Sequence, residues 1–322
     1  MPHANRYLFA ALAAFVLSCA PGVRARPHPA HTEGEAAMDA THKSATPPAE
    51  AAARAPIARK TGHATASDGA PIYYEVCGSG PALVLVHGLG GNHAVWFQQV
   101  AHFAATHTVV TMSQRGFAPS GGDQKHYDVP LLVRDLEAVM DAASVRRAVV
   151  IGQSMGGWTA LGLAMRSPER VEALVLADTL GGIDDEVIAA GMRRIGANAA
   201  RLQNTPPPFG VHPALSAGFS AREPDLAYLY QTLTTFGAPA PGSIVKQLMA
   251  TRVPGAALKD LRVPTLFLVG SEDQLFPPAL VRQSSAYIAG AEVSEIAGAG
   301  HSPYFERPDA WNEALERFLA RR

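Results

Sequence analysis

Cysteine is almost missing from this chain of 322 residues: Cys19 and Cys77 are the only two. Two thiols exclude a disulfide framework and a four-thiolate metal site. An excess of charge of either sign is missing as well, with 27 Lys and Arg against 28 Asp and Glu and a formal net charge of −1. No basic surplus is available to neutralise phosphates, which argues against nucleic acid as a partner. The apolar run at 7–20, "YLFAALAAFVLSCA", is too short to cross a bilayer comfortably. Apolar residues themselves are plentiful. They make up 48% of the chain, ample for the core of one large domain or two small ones.

The amino-terminal segment reads as an address. Arg6 precedes the apolar run and small residues close it, the pattern of an export signal over residues 1–25. "VLSC" at 16–19 resembles the lipobox of bacterial lipoproteins, in which the cysteine is acylated after cleavage. "VRA" at 23–25 offers a second cleavage point. The expectation is therefore an exported protein, either tethered to a membrane through Cys19 or periplasmic or secreted in free form. Residues 26–63 are rich in Ala and Pro, with Met38 and Ile57 as the only large apolar side chains, so they cannot bury enough surface to offset the entropy of ordering. They are expected to form a disordered linker. Its histidines, His28, His31, His42 and His63, are irregularly spaced and read as solvated rather than as metal ligands.

Residues 64–322 read as one α/β domain. Short continuous apolar runs at 82–87, 107–113, 147–152, 171–178, 264–270 and 291–296 suit strands covered on both faces, and "IYYEV" at 72–76 is a further strand. Helical patterns at 129–143, 155–168 and 308–322 alternate with them, which implies a mostly parallel central sheet with helices on both faces. The alternation breaks at about 183–255. That stretch holds helix-like pieces and no strong strand signal, and is expected to be a helical cap inserted before the sheet resumes.

Gly-x-Ser-x-Gly in "VIGQSMGG" (150–157) is a short pattern that a chain with 29 glycines can match by chance. Its setting raises it. It lies where a buried strand gives way to a buried helix, so Ser154 must sit in a tight turn with φ > 0, exposed to the helix's free N–H groups. A serine needs a base. His301, in "GAGHSPYFERP", is the histidine that lies on a loop beyond the last strand, where it can reach the carboxyl edge of the sheet. The base needs an acid to fix its tautomer. Asp273 follows directly on the strand at 264–270, and Asp178, which ends the strand before the cap, is the second candidate. "HGLGGN" at 87–92 follows another strand, and its glycines allow backbone N–H groups to turn toward a developing oxyanion. The expected donors are the N–H groups of Leu89 and Met155, with His87 and Gly88 shaping the turn.

"HGLGGNHAVW", "QRGFAPSG", "GQSMGGWTAL", "GSEDQLFPP" and "GHSPYFERP" together resemble the α/β-hydrolase superfamily over about residues 64–322. The chain order Ser154, Asp273, His301 is the order of that fold. One departure is that Ser113 and Gln114 stand where the family commonly has an aspartate. Members with an aspartate at the elbow, epoxide hydrolases and haloalkane dehalogenases, are disfavoured by Ser154. "LADTLGG" and the cap length look similar to 3-oxoadipate enol-lactonases. The resemblance implies a serine hydrolase that cleaves a small-molecule carboxylic ester or lactone through an acyl-enzyme, without metal or organic cofactor. C–C bond hydrolysis or cofactor-free perhydrolase or haloperoxidase-like chemistry at the same triad is the alternative, and a non-catalytic ligand receptor is a further one. Met192, Phe209, Phe219, Tyr228, Tyr230 and Phe236 in the cap suggest an apolar pocket for a small or medium acyl group.

Overall fold

The computed structural model describes residues 56–122, 127–199, 209–234 and 242–322. The expected export signal, Cys19 and most of the linker lie outside the described residues, as does Phe236.

Alternating side chains make this sheet a two-faced core. Its strands are β1 (Arg59–Thr65), β2 (Pro71–Cys77), β3 (Ala82–Val86), β4 (Thr108–Met112), β5 (Ala148–Gln153), β6 (Val171–Ala177), β9 (Thr265–Gly270) and β10 (Glu292–Ile296). Among the described residues they form one sheet in the order β1-β2-β4-β3-β5-β6-β9-β10. From β4 to β10 neighbouring strands are parallel, while β2 is antiparallel to β4 and β1 to β2. Val84, Val86, Val150, Leu174, Leu176, Phe267 and Val269 pack on one face, under α2 (Val129–Ala142), α3 (Gly156–Arg166) and α8 (Pro278–Ser285). Leu83, Leu85, Val149, Ile151, Val175, Leu266 and Leu268 pack on the other, against α1 (Phe97–Phe103) and α9 (Pro308–Leu319). A strand buried on both faces has no polar alternation to show, which is why these runs read as continuously apolar.

Strand β1 corrects the expected linker boundary at residue 63. "RKTGHAT" is polar, and only Ala64 of it is buried. What makes it a strand is pairing along the whole of β2, from Arg59 opposite Cys77 to Thr65 opposite Pro71. Arg59 adds a two-pronged ion pair with Glu75 on β2, at 3.0 and 2.5 Å. An edge strand held by its neighbour's backbone leaves little trace in hydrophobic pattern.

Between β6 and β9 the chain leaves the sheet and returns. This excursion holds β7 (Ile183–Asp184), α4 (Glu186–Ala199), α5 (Phe219–Arg222), α6 (Pro224–Leu233), α7 (Gly242–Ala250) and β8 (Val253–Pro254). The two-residue strands pair in parallel, Ile183 with Val253 and Asp184 with Pro254, and close the base of the cap. An Arg252–Asp184 ion pair reinforces the closure. Asp185 caps α4 by accepting the Ile188 N–H at 2.6 Å, and its other oxygen accepts from Tyr287 and Gln283 beside α8 at 2.6 and 2.7 Å. The cap is thereby bound to the sheet layer at its first turn. Among the described residues no helix is long and apolar enough to cross a membrane.

Candidate active site

Ser154 lies between the end of β5 and the start of α3 with φ 49, one of three non-glycine residues with positive φ among the described residues. Its backbone is tied on both sides. The Ser154 N–H donates to Ala177 O at 2.9 Å, and Ser154 O accepts from Gly157 N–H at 2.9 Å and from the Thr179 hydroxyl at 2.7 Å. Helix α3 begins immediately behind the serine because the chain can pass very close to itself there. A Cβ on Gly152 would overlap the oxygen of Gly156, and one on Gly156 would overlap the oxygen of Val86 at the end of β3. The elbow glycines are therefore required by close approach of backbone to backbone.

His301 and Asp273 meet in the structure. Both are buried, and His301 Nδ1 lies 2.9 Å from Asp273 Oδ2. A carboxylate accepts, so Nδ1 carries the proton and Nε2 is left with its lone pair. Asp273 Oδ1 accepts two further hydrogen bonds, from Leu275 N–H at 2.8 Å and Phe276 N–H at 2.9 Å. The Phe276 ring lies 5.5 Å from that of His301. Of the two candidate acids, Asp273 is thus the one bonded to the histidine. Asp178 instead accepts the Gly270 N–H at 2.9 Å through Oδ1. Complete burial, then the negative charge of Asp273, push its carboxyl well above the usual carboxylate range.

The connection from the serine strand to the histidine loop runs through Gln153, which sequence reasoning missed. Its side-chain amide donates to His301 O at 3.0 Å. Glu306, equally unforeseen, holds the loop from the other side. Its Oε1 accepts Gly300 N–H at 2.8 Å and its Oε2 accepts Ser216 N–H from the cap at 2.9 Å, while burial raises its pKa. In each case the available signal was a polar or acidic residue inside an otherwise buried run.

On the opposite side of Ser154 is the turn carrying Leu89. His87 is fully buried and both its ring nitrogens are used. Gln114 N–H donates to Nε2 at 2.8 Å, so Nδ1 carries the proton and donates to Gly88 O at 2.7 Å. Burial holds its pKa down at about 4. Gln114 donates through its side chain to His87 O at 2.7 Å and accepts from Thr159 on α3 at 3.0 Å. The loop before Leu89 is therefore fastened to the helix that follows Ser154. Leu89 and Met155 are both buried. The backbone at Gly88 is close enough that an added Cβ would stand 2.9 Å from Ser154 Cβ.

The cap aromatics divide differently from the expected pocket lining. Phe209 and Tyr228 stack on each other, 5.1 Å between centroids, on the exterior of the cap. Phe219, Met192 and Tyr230 are buried. Tyr230 packs edge-on to Phe305 and shares a 2.7 Å hydrogen bond with the hydroxyl of Ser302, next to His301. An open cleft of about 470 Å³ beside Arg147, Glu172 and Arg262 lies at the amino ends of β5, β6 and β9, the sheet edge opposite Ser154.

Comparison with known proteins agrees with this architecture. Residues 81–308 match the family described as alpha/beta hydrolase fold. The chain is 30% identical to the pimeloyl-[acyl-carrier protein] methyl ester esterase of Xanthomonas oryzae pv. oryzae, over 77% of this chain and 99% of that protein. It is 28% identical to a putative carbamate hydrolase RutD of Azorhizobium caulinodans, over 77% and 95%. Among solved structures, the enol-lactonase from Burkholderia xenovorans LB400 superposes with a TM-score of 0.66 at 25% identity, covering 80% of this chain and 99% of that one.

Proposed function

The chain belongs to the α/β-hydrolase fold family, and from that membership we propose that it hydrolyses a small-molecule carboxylic ester or lactone with Ser154 as nucleophile, His301 as base and Asp273 as acid. The observation that carries this reading is the buried hydrogen bond from His301 Nδ1 to Asp273 Oδ2. It leaves Nε2 as the only basic nitrogen of the ring, on a loop that Gln153 binds to the end of β5, next to Ser154.

His301 Nε2 takes the hydroxyl proton as Ser154 Oγ attacks the carbonyl carbon, and Asp273 stabilises the imidazolium. The N–H groups of Leu89 and Met155 receive the oxyanion; one such donor is typically worth about 10²–10³ in rate. The imidazolium returns its proton to the leaving alkoxide and the acyl-enzyme remains. Water loses a proton to His301 as it attacks the acyl carbon, and the imidazolium returns a proton to Ser154 Oγ as the carboxylic acid leaves. Buried apolar side chains in the cap support an acyl group of small or medium size. Export through the 1–25 segment is part of the same reading, with cleavage either before Cys19, which is then acylated, or after Ala25, which releases the protein without a lipid. Mass spectrometry of the mature amino terminus tests it, and an unprocessed Met1 overturns it.

A fluorophosphonate probe and a short-chain nitrophenyl ester test the chemistry. The wild-type protein should be labelled and turn over the ester, and Ser154→Ala should do neither. Turnover by Ser154→Ala removes the serine from the mechanism; absence of both in the wild type removes the hydrolase reading.

A further inference from the structure

Asp178 is a second carboxyl group beside the proposed triad, and the proposed mechanism does not use it. It ends β6 in a left-handed conformation, φ 47, and is fully buried. Oδ1 is occupied by the Gly270 N–H. Oδ2, also buried, has no hydrogen-bonding partner among the described residues. An oxygen of Asp178, an oxygen of Asp273 and a ring nitrogen of His301 all lie within 4.8 Å of one another.

Two carboxylates this close and this dry cannot both be ionised. The donors decide which keeps the charge. Asp273 accepts three N–H groups, from Leu275, Phe276 and His301, whereas Asp178 accepts one. A proton therefore belongs on Asp178, and its orphaned Oδ2 is the atom without a competing donor. Bound there, the proton removes the repulsion and turns an unsatisfied acceptor into a donor. A cation is a poorer occupant, because the Asp273 oxygens already receive N–H groups whose hydrogens would face it. Of the other titratable neighbours, Glu306 adds negative potential and so favours the neutral form, while Tyr230 and Tyr304 are uncharged phenols, the first with its pKa raised to about 12 by burial and the second raised further by burial.

We propose that Asp178 is a protonated carboxylic acid whose Oδ2–H is shared with the Asp273 carboxylate, so that the acid of the triad is a two-aspartate pair carrying one proton. Asp178 is a positioning residue: it steadies Asp273, which alone touches His301. The arrangement has a consequence for the chemistry. If Asp273 is removed, the like charge that adds to burial in keeping Asp178 neutral goes with it, and the His301 Nδ1–H is left as the donor that stabilises its anion. Asp178 then loses its proton to solvent and its carboxylate, already in the same cluster, accepts the His301 Nδ1–H. The inference rests on the Ser154–His301–Asp273 reading, but the protonation of Asp178 can be observed without turnover.

Infrared difference spectroscopy of wild type against Asp178→Asn near neutral pH should show the carbonyl stretch of a protonated carboxylic acid in the wild type and its loss in the variant. Asparagine keeps the acceptor for Gly270 and places an N–H where the acid has its O–H, so the variant should fold. A double-mutant cycle on nitrophenyl ester turnover supplies the second readout. Asp178→Asn should cost about tenfold more in an Asp273→Ala background than beside a native Asp273, because there it removes the substitute acid. A purely structural role gives equal costs in both backgrounds. A missing carbonyl band or equal costs overturns the proposal. Persistent turnover by Ser154→Ala with the band present would overturn the serine-hydrolase reading and leave the acid pair standing.

Discussion

The side-chain amide of Gln153 donates to the backbone oxygen of His301 at 3.0 Å, across 148 residues of sequence. The residue before the proposed nucleophile thus holds the loop of the proposed base, and the two halves of the site share one buried hydrogen bond. Gln153→Leu should orphan that oxygen and lower the unfolding free energy by about 1–3 kcal/mol. By letting the histidine loop drift it should also reduce kcat/KM by roughly ten- to a hundredfold. Denaturant titration and ester kinetics read the two effects separately; unchanged kinetics would mean the loop is held elsewhere.

Gly88 has no room for a side chain. A Cβ there meets the Gln153 amide oxygen and stands 2.9 Å from Ser154 Cβ. Gly88→Ala should displace the Leu89 N–H from the oxyanion and lower kcat by about 10²-fold with KM little changed. A variant with native kcat would exclude this turn from oxyanion binding.

Tyr230 joins the cap and the segment that follows His301 through both its hydroxyl and its ring. Tyr230→Phe keeps the ring, removes the hydroxyl with its bond to Ser302, and should cost about 1 kcal/mol. Tyr230→Ala removes the ring from Phe305 and should cost about 3–5 kcal/mol. Equal losses in chemical denaturation would place the contribution in the hydroxyl instead.

His87 predicts an acid sensitivity. Its folded pKa, about 4, lies below the ordinary 6.5 because complete burial penalises the charged ring. Between pH 6.5 and 4 the unfolded chain therefore binds more protons than the native one. Stability is fully present above pH 6.5 and falls as pH drops toward 4, by about 3 kcal/mol from this group. Buried His212, held down at about 3, adds to the same slope. Unfolding free energies measured across this range should flatten in His87→Asn; an unaltered slope would assign the sensitivity to other groups.

Arg115 separates a buried ion pair from an exposed one. It grips Asp135 at 2.6 and 2.7 Å, with both side chains 1% exposed, and Asp68 at 2.8 Å, whose side chain is 47% exposed. Asp135→Ala removes the buried partner and leaves the buried guanidinium with only the half-exposed Asp68, which should cost about 3–5 kcal/mol. Asp68→Ala, screened by solvent, should cost under about 1 kcal/mol. Thermal melting of the two variants checks the ranking.

The parallel strands were legible because burial on both faces writes a continuous apolar run, as in "ALVLVH", and the elbow was legible because a serine among glycines sat where such a run ended. Strand β1 was not, since its "RKTGHAT" is shaped by the backbone of β2 rather than by its own side chains. Nor was the two-residue pairing of Ile183 with Val253 that closes the cap, which is too short to carry a period. Phe209 and Tyr228 looked like pocket lining and are exterior, because aromaticity alone does not say which side of a helix faces inward.

By itself, then, the sequence determined the layered α/β domain and nominated Ser154, Asp273 and His301, because hydrophobic period and turn chemistry are local and strand ends converge at one sheet edge. Only the tertiary structure decided that Asp273, and not Asp178, holds His301, that Gln153 and Glu306 fasten the histidine loop, and that two aspartates share one buried pocket. Those decisions rest on hydrogen bonds and like-charge distances between residues far apart in the chain, and such contacts exist only once the sheet has assembled.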